Sequence, residues 1–371
     1  MPLYLTDEQA MLRDTARPFM AEEGAIAKEL RRLRDSGCPD GFGHALWRQF
    51  GEMGFTGILI DEADGGLGLG HVEAGIVLEE IGRNLTPSPF LISAVAFVEA
   101  VKGTALRERW FRGILAGETV AALALDEGPK HRPEQIAMRA ERSGNGFRLS
   151  GRKQFVVQGA SADVTLVAAR ADDGLTLFAV EKGARGLEVE GVRLADSSIG
   201  ARVTFDNVEV DADAVVGEVG GGEVILTRVL AASRVGAASE LVGVGSAAMD
   251  MTVDYLKQRK QFGRLIGEFQ GLQHRSAHLY AELEIARAAT LKAQQLLDDG
   301  AEEAEAMVSV AKAKAGRASQ LAVQEGVQMH GGIGMTDEYD IGLYMKRDRV
   351  LNELFGDPAY HADRLARMKG Y

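Results

Sequence analysis

Two segments of the chain carry side chains of the kind that bind phosphate groups, and the first is Asp254 to Gln270. Tyr255 and Arg259 lie four residues apart in it and therefore share one face of a predicted helix. A guanidinium fixed at a helix end can donate two parallel hydrogen bonds to a diphosphate. We expect Gly263 to close this helix in a left-handed conformation. The segment is therefore predicted to contact a cofactor.

The second segment, Gln328 to Thr336, is rich in glycine. Gln328, Gly331 and Gly332 lie where a predicted helix gives way to a turn, so bare backbone N–H groups can approach a ligand that a Cβ would hold off. Taken alone, the first segment fits a surface arginine, and the second an ordinary helix cap, about as well as it fits cofactor binding. The presence of both, in this order, favours cofactor binding.

Together the two segments read R-x-x-F-G-x-x-I-x-x-F-Q and Q-x-x-G-G-x-G, with helical sequence between them, and this resembles the acyl-CoA dehydrogenase family of flavoproteins. The resemblance implies FAD as cofactor and a neighbouring subunit whose FAD is contacted by Arg259, Phe262, Phe269, Gln270, Gln328, Gly331 and Gly332. A site built from two chains implies at least a dimer, and the habit of the family is a tetramer made of two dimers.

The elements that must position these residues fall into three regions. Residues 1–118 carry helical periodicity, residues 119–220 contain short Val-, Phe- and Thr-rich runs separated by turns, and residues 221–371 return to the helical period. We predict a helical domain, a small antiparallel β domain and a bundle of four long helices, the first from Glu223 to about Gln258. This mixed α and β order, mainly α, is that of the acyl-CoA dehydrogenase fold.

The resemblance assigns two segments of the β region to the flavin of the same subunit. They are Ala124 to Gly128, with Leu125 at its centre, and Phe155, Val156 and Val157. Family members often carry side-chain hydroxyls there. Leu125 and Val157 can offer only backbone groups, whereas Phe155 keeps an aromatic surface for stacking.

The family reaction removes an α-proton from an acyl-CoA with a carboxylate while the β-hydride passes to flavin N5. Counting without gaps from Gln328 places Phe355 at the position of the usual glutamate, and aligning Arg347 and Asp348 with the family's Arg-Asp pair places Gly356 there. A minority position, just before the arginine that matches Arg234, holds Ser233. None of these residues is a base.

Three explanations of the missing base are open, and the first is preferred. In the first explanation the chain is one half of a heteromeric dehydrogenase. Val253 to Arg275 and Leu354 to Asp357 look like the small subunit of pimeloyl-CoA dehydrogenase-type and steroid-side-chain-type enzymes. Alternatively a displaced carboxylate acts, either Asp357 or Glu240. Asp357 equally fits a helix cap, and Glu240 fits a buried partner of an arginine such as Arg234.

In the third explanation the chain has kept the fold and lost the dehydrogenation, and serves as a binding or structural subunit. In every case the resemblance implies that Arg234 and Gly356 contact an acyl-CoA and that an electron-transferring flavoprotein accepts the electrons. The acyl group itself is not fixed by these motifs.

Composition excludes other classes of function. A net charge of −12 disfavours nucleic acid and anionic membranes, and no window is apolar and long enough to span a bilayer. The start is acidic, lacks the features of an export signal, and reads as a capping box from Thr6 to Gln9. With Cys38 as the single cysteine there is no internal disulfide, so we expect a cytoplasmic protein.

Two further motifs are given structural interpretations. Gly65 to Gly70 lacks the spacing of a dinucleotide fingerprint, since position 71 is His, and is predicted to be a loop. His274 and His278 lie one turn apart but have no third ligand in view. We predict no metal site.

Overall fold

The computed structural model describes residues 3–371 and divides into two compact units. We call them the helical unit, made of the residues up to Arg31, residues 71–86 and residues 234–371, and the mixed unit, made of residues 32–70 and 87–233. The division into residues 1–118, 119–220 and 221–371 stays a prediction. Among residues 3–371 no helix is long and apolar enough to cross a membrane.

The helical unit is built mainly from helices, and the first of them begins with a side-chain cap. Thr6 Oγ1 accepts from the N–H of Gln9 (3.2 Å) while Gln9 Oε1 accepts from the N–H of Thr6 (3.0 Å), so the predicted capping box is confirmed. The helices are α1 (Asp7–Glu22), α4 (His71–Asn84), α7 (Gly222–Gln258, shared with the mixed unit), α8 (Gln270–Asp298), α9 (Ala304–His330), α10 (Ile341–Glu353) and α11 (Pro358–Met368).

The helix α7 runs close to the predicted span and is buried without a break over residues 229–248. Its glycines permit a close crossing with α4, because a Cβ on Gly243 would lie 2.0 Å from the carbonyl oxygen of Glu79. Where the sequence predicts four long helices after residue 221, the structure has three long helices and two shorter ones. The shorter α10 ends because Phe355 (φ 59°) and Gly356 (φ 105°) follow it with left-handed backbone.

The end of α7 differs from the prediction. The helix stops at Gln258, and Gly263 does not cap it. Gly263 (φ 79°) instead follows Phe262 (φ 55°) in the two-residue turn of a hairpin formed by β8 (Lys260–Gln261) and β9 (Arg264–Leu265). Two positive φ angles define the type I′ turn that suits the twist of a hairpin, which is why glycine is needed there.

The mixed unit holds a seven-stranded sheet in the order β1-β4-β2-β3-β7-β6, with β5 also paired to β4. Its strands are β1 (Ala121–Ala124), β2 (Arg139–Ser143), β3 (Gly146–Val157), β4 (Val164–Ala171), β5 (Gly174–Glu181), β6 (Leu187–Arg193) and β7 (Ile199–Val210). The predicted β region is confirmed, but its pairing is mixed. The strand β1 runs parallel to β4, and Arg139 of β2 pairs in parallel with Arg170 of β4.

Apart from the start of α7, the helical part of the mixed unit comes before the sheet. It consists of α2 (Arg32–Asp35), α3 (His44–Glu52), a buried π-helix (Leu91–Phe97), α5 (Val98–Val101) and α6 (Leu106–Leu115), with a second π-helix (Ala27–Arg31) in the helical unit. The glycine run at 65–70 is a loop folded back on itself, since the N–H groups of Leu67 and Gly68 donate to the carbonyls of Gly57 and Ile60. This agrees with the structural interpretation of that motif.

Candidate functional site

The two cofactor-type segments meet in the helical unit. Leu256 at the end of α7, Ile266 after the hairpin and Met329 at the end of α9 form one buried apolar cluster, against which Phe269 packs. The cluster brings the segment that carries Arg259 next to the glycine turn after α9. Burial of these side chains is what couples two stretches that are about seventy residues apart in the chain.

Arg259 and Phe262 of the first segment face outward. The N–H of Arg259 donates to the carbonyl of Tyr255 (2.9 Å), its carbonyl accepts from Ile266 (2.9 Å), and its side chain is exposed. Phe262 is 91% exposed, with its ring edge-on to Phe269. An exposed guanidinium and an exposed phenyl ring on the same segment suit a ligand that carries both phosphate and an aromatic ring.

The glycines of the second segment are not required by packing within the chain. A Cβ built on Gly331 or Gly332 would meet no atom within 4 Å, and both residues are exposed. Gly331 has φ 64°, a backbone conformation that favours glycine. The backbone at this turn is therefore open to approach from outside.

His330 lies directly beneath this turn. Its ring packs between Tyr255 (4.4 Å between centroids) and Tyr339 (4.7 Å), and Nδ1 donates to the carbonyl of Gly326 (2.7 Å). Burial lowers the pKa of His330, so the ring favours its neutral form. Within residues 3–371 its Nε2 has no hydrogen-bond partner.

In the mixed unit, the two segments that the resemblance assigns to flavin are also adjacent. The buried Lys153 amine donates to the carbonyl of Leu125 (3.1 Å), and the N–H of Gln154 donates to the carbonyl of Asp126 (2.7 Å). Phe155 then takes φ 53° where the pairing of β3 with β7 shifts register. The loop after β1 is thereby fixed to the end of β3.

Burial decides what each of these flavin candidates can offer. The side chains of Leu125 and Val156 are buried in the unit, with exposures of 4% and 0%. Phe155 and Val157 are half-buried. Leu125 and Val156 can therefore contribute backbone groups only, whereas Phe155 retains part of its ring surface.

The loop that follows α10 holds the residues aligned with the family's base. Phe355 is buried, and its carbonyl accepts from His361 Nε2 (3.1 Å) and from Arg234 Nε (3.4 Å). Gly356 admits no side chain, because a Cβ there would lie 2.3 Å from the ring of Tyr360. Neither position presents a group that can accept a proton.

Arg234 is buried beside this loop. It donates to the hydroxyl of Tyr360 (3.1 Å) and lies over the ring of Tyr360, while burial lowers its pKa. The hydroxyl of Ser233 is fully buried and donates to the carbonyl of Val229 in its own helix (2.6 Å). A serine occupied in this way has no base partner that could activate it.

The two displaced carboxylates both have structural partners. Asp357 is the N-cap of α11 and accepts from the N–H of Tyr360 (2.8 Å). Glu240 is buried and pairs with Arg347 through Nε (2.8 Å) and a terminal guanidinium nitrogen (2.6 Å). The sequence interpretation had Glu240 as a buried partner of an arginine such as Arg234, and in the structure Arg347 is such a partner.

Lys312 is an ionisable residue that the sequence interpretation missed. Its side chain is fully buried and donates to the carbonyls of Leu351 (3.0 Å), Asn352 (3.3 Å) and Gly356 (3.0 Å). Burial lowers its pKa to about 7. The amine has no free direction toward a substrate, so it supports the loop and does not act as a base.

Comparison with known proteins identifies the family. Three family models match: the acyl-CoA dehydrogenase N-terminal domain at residues 6–118, the middle domain at 128–208 and the C-terminal domain at 220–369. Mitochondrial isovaleryl-CoA dehydrogenase of Solanum tuberosum is 32% identical over 371 residues, covering 95% of this chain and 88% of that protein. This chain belongs to the acyl-CoA dehydrogenase family.

Two other proteins extend the comparison. Cyclohex-1-ene-1-carbonyl-CoA dehydrogenase of Geobacter metallireducens is 31% identical over 368 residues, covering 95% of each chain. A solved structure of a variant of the Tcur3481-Tcur3483 steroid ACAD is 29% identical, with a TM-score of 0.88 and 98% of both chains covered. The acyl-CoA dehydrogenase fold is therefore established over nearly the whole chain.

Members of the acyl-CoA dehydrogenase family are FAD-binding flavoproteins. The residues present here fit that group: an exposed guanidinium at Arg259, open glycine backbone at Gly331, and an orphaned buried nitrogen on His330 beside it. The guanidinium and the backbone N–H groups can donate to a diphosphate, whereas Nε2 of neutral His330 can only accept a hydrogen bond, because Nδ1 carries the proton. The assignment of each residue to the cofactor stays a prediction.

Some functional candidates have little sequence signal. Lys153 and Lys312 are single lysines within otherwise apolar faces of β3 and α9. Only this charged residue on an apolar face could have identified them from the sequence. His274 and His278 are exposed on α8. In the part of the chain that the structure describes, no cluster of three His, Cys, Asp or Glu residues could hold a metal ion.

Proposed function

We propose that this chain takes part in the FAD-dependent α,β-dehydrogenation of an acyl-CoA thioester as one subunit of a larger oligomer. The observation that carries the proposal is the outward-facing surface formed by Arg259, Phe262 and the Gly331 turn, which packing within the chain does not require. Relatives named isovaleryl-CoA and cyclohex-1-ene-1-carbonyl-CoA dehydrogenase support the substrate class.

The proposed role of the surface is to hold FAD of a neighbouring subunit. Arg259 and the amides of Gln270 and Gln328 would donate to its phosphates, and Phe262 would cover a ring. In the mixed unit, backbone groups near Leu125 and the ring of Phe155 would hold the isoalloxazine of the same subunit. Bound FAD supplies the acceptor for the hydride that leaves the β-carbon.

The base is proposed to come from a partner subunit. Neither Phe355 nor Gly356, the two positions aligned with the family's glutamate, carries a side chain that accepts a proton. Asp357 caps a helix and Glu240 pairs with Arg347. We infer a heterotetramer with a larger homologous subunit that holds a complete site, and an electron-transferring flavoprotein as acceptor.

A second candidate function is favoured by the same loop. Without a base at Phe355, Gly356 or Ser233, the chain could serve as a flavin- and CoA-binding or structural subunit whose partner carries out all of the chemistry. The two candidates differ in whether flavin bound to this chain is reduced by substrate. They agree that Arg234 and Gly356 belong to the substrate side of the site.

The test is the visible spectrum of the purified chain, before and after anaerobic addition of acyl-CoA thioesters that include dicarboxylyl and sterol-derived ones. We expect bound flavin and no bleaching from the chain alone, and bleaching from the co-expressed pair. Flavin bleaching by the chain alone would refute the proposal that this chain lacks a catalytic base. A colourless chain that stays colourless beside its partner would refute flavin binding.

A further inference from the structure

An ion pair between a fully buried lysine and a partly exposed glutamate lies between the two flavin-type segments of the mixed unit. The amine of Lys153 is fully buried on β3 and donates to Glu127 Oε1 (2.7 Å) as well as to the carbonyl of Leu125 (3.1 Å). Burial lowers the pKa of Lys153, while Glu127 opposes that shift. A cation in this position is costly to bury unless both contacts are kept.

Glu127 is held from a third direction. Its two carboxylate oxygens accept from the N–H groups of Met138 (3.0 Å) and Ala137 (2.9 Å), which lead into β2. Its carbonyl accepts from the side-chain amide of Gln154 (3.3 Å). One carboxylate therefore ties together the loop after β1, the entry to β2 and the end of β3.

The pair lies beside an irregular point of the backbone. Directly after Lys153 the pairing of β3 with β7 shifts register, and Phe155 adopts φ 53°. A non-glycine residue in that conformation costs free energy and persists only where its surroundings hold it. The contacts of Lys153 and Gln154 with residues 125–127 are those surroundings.

We propose that Lys153 and Glu127 are positioning residues for the flavin, whose ion pair sets the spacing between the backbone at Leu125 and the ring of Phe155. The inference rests on the proposed function, in that flavin is taken to bind these two segments. The two charged groups are buried or bonded to backbone, and they act through Leu125 and Phe155 and not by touching the substrate.

The experiment is titration of the flavin-free full-length chain with FAD, comparing wild type, Lys153→Met, Glu127→Gln and the double variant. Lys153→Met leaves Glu127 without its cation and should weaken FAD binding by at least about tenfold, with a changed visible band of the bound flavin. The double variant removes both charges and should regain thermal stability. If the pair positions flavin, FAD affinity and the band shape stay altered in the double variant.

Arg152→Met is the matched control, because Arg152 is the exposed neighbour of Lys153 on the same strand. Its FAD dissociation constant should stay within about twofold of wild type. If the double variant regains wild-type FAD affinity together with its thermal stability, the ion pair is purely structural and the inference is overturned. Wild type that binds no FAD would instead overturn the proposed function, and the inference with it.

Discussion

Gly356 is the residue at which the loop after α10 is most sharply constrained. Its φ of 105° is unfavourable for any side chain, and a Cβ would lie 2.3 Å from Tyr360. Gly356→Ala should therefore lower the free energy of unfolding by about 3 kcal/mol. Gly300→Ala is the control in the same unit, since Gly300 has φ 61° and open space around it, and should cost about 1 kcal/mol. Equal losses in urea denaturation would contradict the steric argument.

Substitution of Asp357 and Glu240 by the corresponding amides tests whether either carboxylate has a catalytic role. Asparagine caps a helix about as well as aspartate, so Asp357→Asn should change stability by less than about 0.5 kcal/mol. Glu240→Gln leaves Arg347 without its buried carboxylate and should cost about 3 kcal/mol. We expect neither variant to alter flavin bleaching by the co-expressed pair beyond its loss of folded protein. Bleaching abolished by Asp357→Asn at unchanged stability would identify Asp357 as the base.

Lys312 should give the protein a pH-dependent stability. Burial lowers its pKa from an ordinary 10.5 to about 7, so between these values the unfolded chain binds more protons than the folded chain. Stability contributed through Lys312 therefore rises with pH across this window, and below about pH 7 the full cost of the buried charge applies.

The measurement is urea denaturation of wild type and Lys312→Met between about pH 7 and 9.5. The difference in unfolding free energy should move in favour of wild type as pH rises, by at most about 1.4 kcal/mol per pH unit. Lys346→Met, an exposed lysine on α10, is the control. A flat difference would mean that Lys312 is protonated equally in the two states, and a difference that falls with pH would mean that folding raises its pKa; either result would contradict the prediction.

At the scale of elements, the sequence predicted those features that depend on residues close together in the chain. The capping box at Thr6, the span of α7 and the glycine turn after α9 depend on neighbouring residues, and the structure has all three. The role of Gly263 was mistaken because a left-handed glycine closes a helix or a hairpin equally well. The Lys153 and Lys312 contacts join residues 26 to 44 positions apart, which no periodicity encodes.

The turn of the hairpin β8–β9 holds a phenylalanine at a position where asparagine would be more stable. Asn-Gly is the preferred pair for its turn, yet the first position holds Phe262, 91% exposed. Phe262→Asn should leave stability unchanged or raise it by less than about 1 kcal/mol while it lowers the FAD retained per chain. Val224→Asn, at an exposed apolar residue of α7, should leave FAD unchanged. Full FAD retention by Phe262→Asn, measured after gel filtration, would remove Phe262 from the cofactor surface.

At the scale of the whole molecule, a net charge of −12 makes copies of the chain repel one another, so assembly needs apolar contact. The helical unit exposes Tyr280 and Ile285 on α8 and Met335 after α9, at 57%, 53% and 76%. Large apolar side chains left in water favour a subunit interface. This is consistent with a cofactor surface that is completed by a second chain.

We expect the purified chain to be at least dimeric and, when co-expressed with a larger homologue, to form a heteromer that excludes homomers. Tyr280→Lys places a charge in the proposed interface and should shift the chain toward monomer in native mass spectrometry and light scattering. Met11→Lys changes a residue of similar exposure (69%) on α1 and should leave the assembly intact. A wild-type chain that is monomeric yet retains FAD would contradict the shared cofactor surface, because Arg259 and the Gly331 turn would then have no neighbouring flavin to contact.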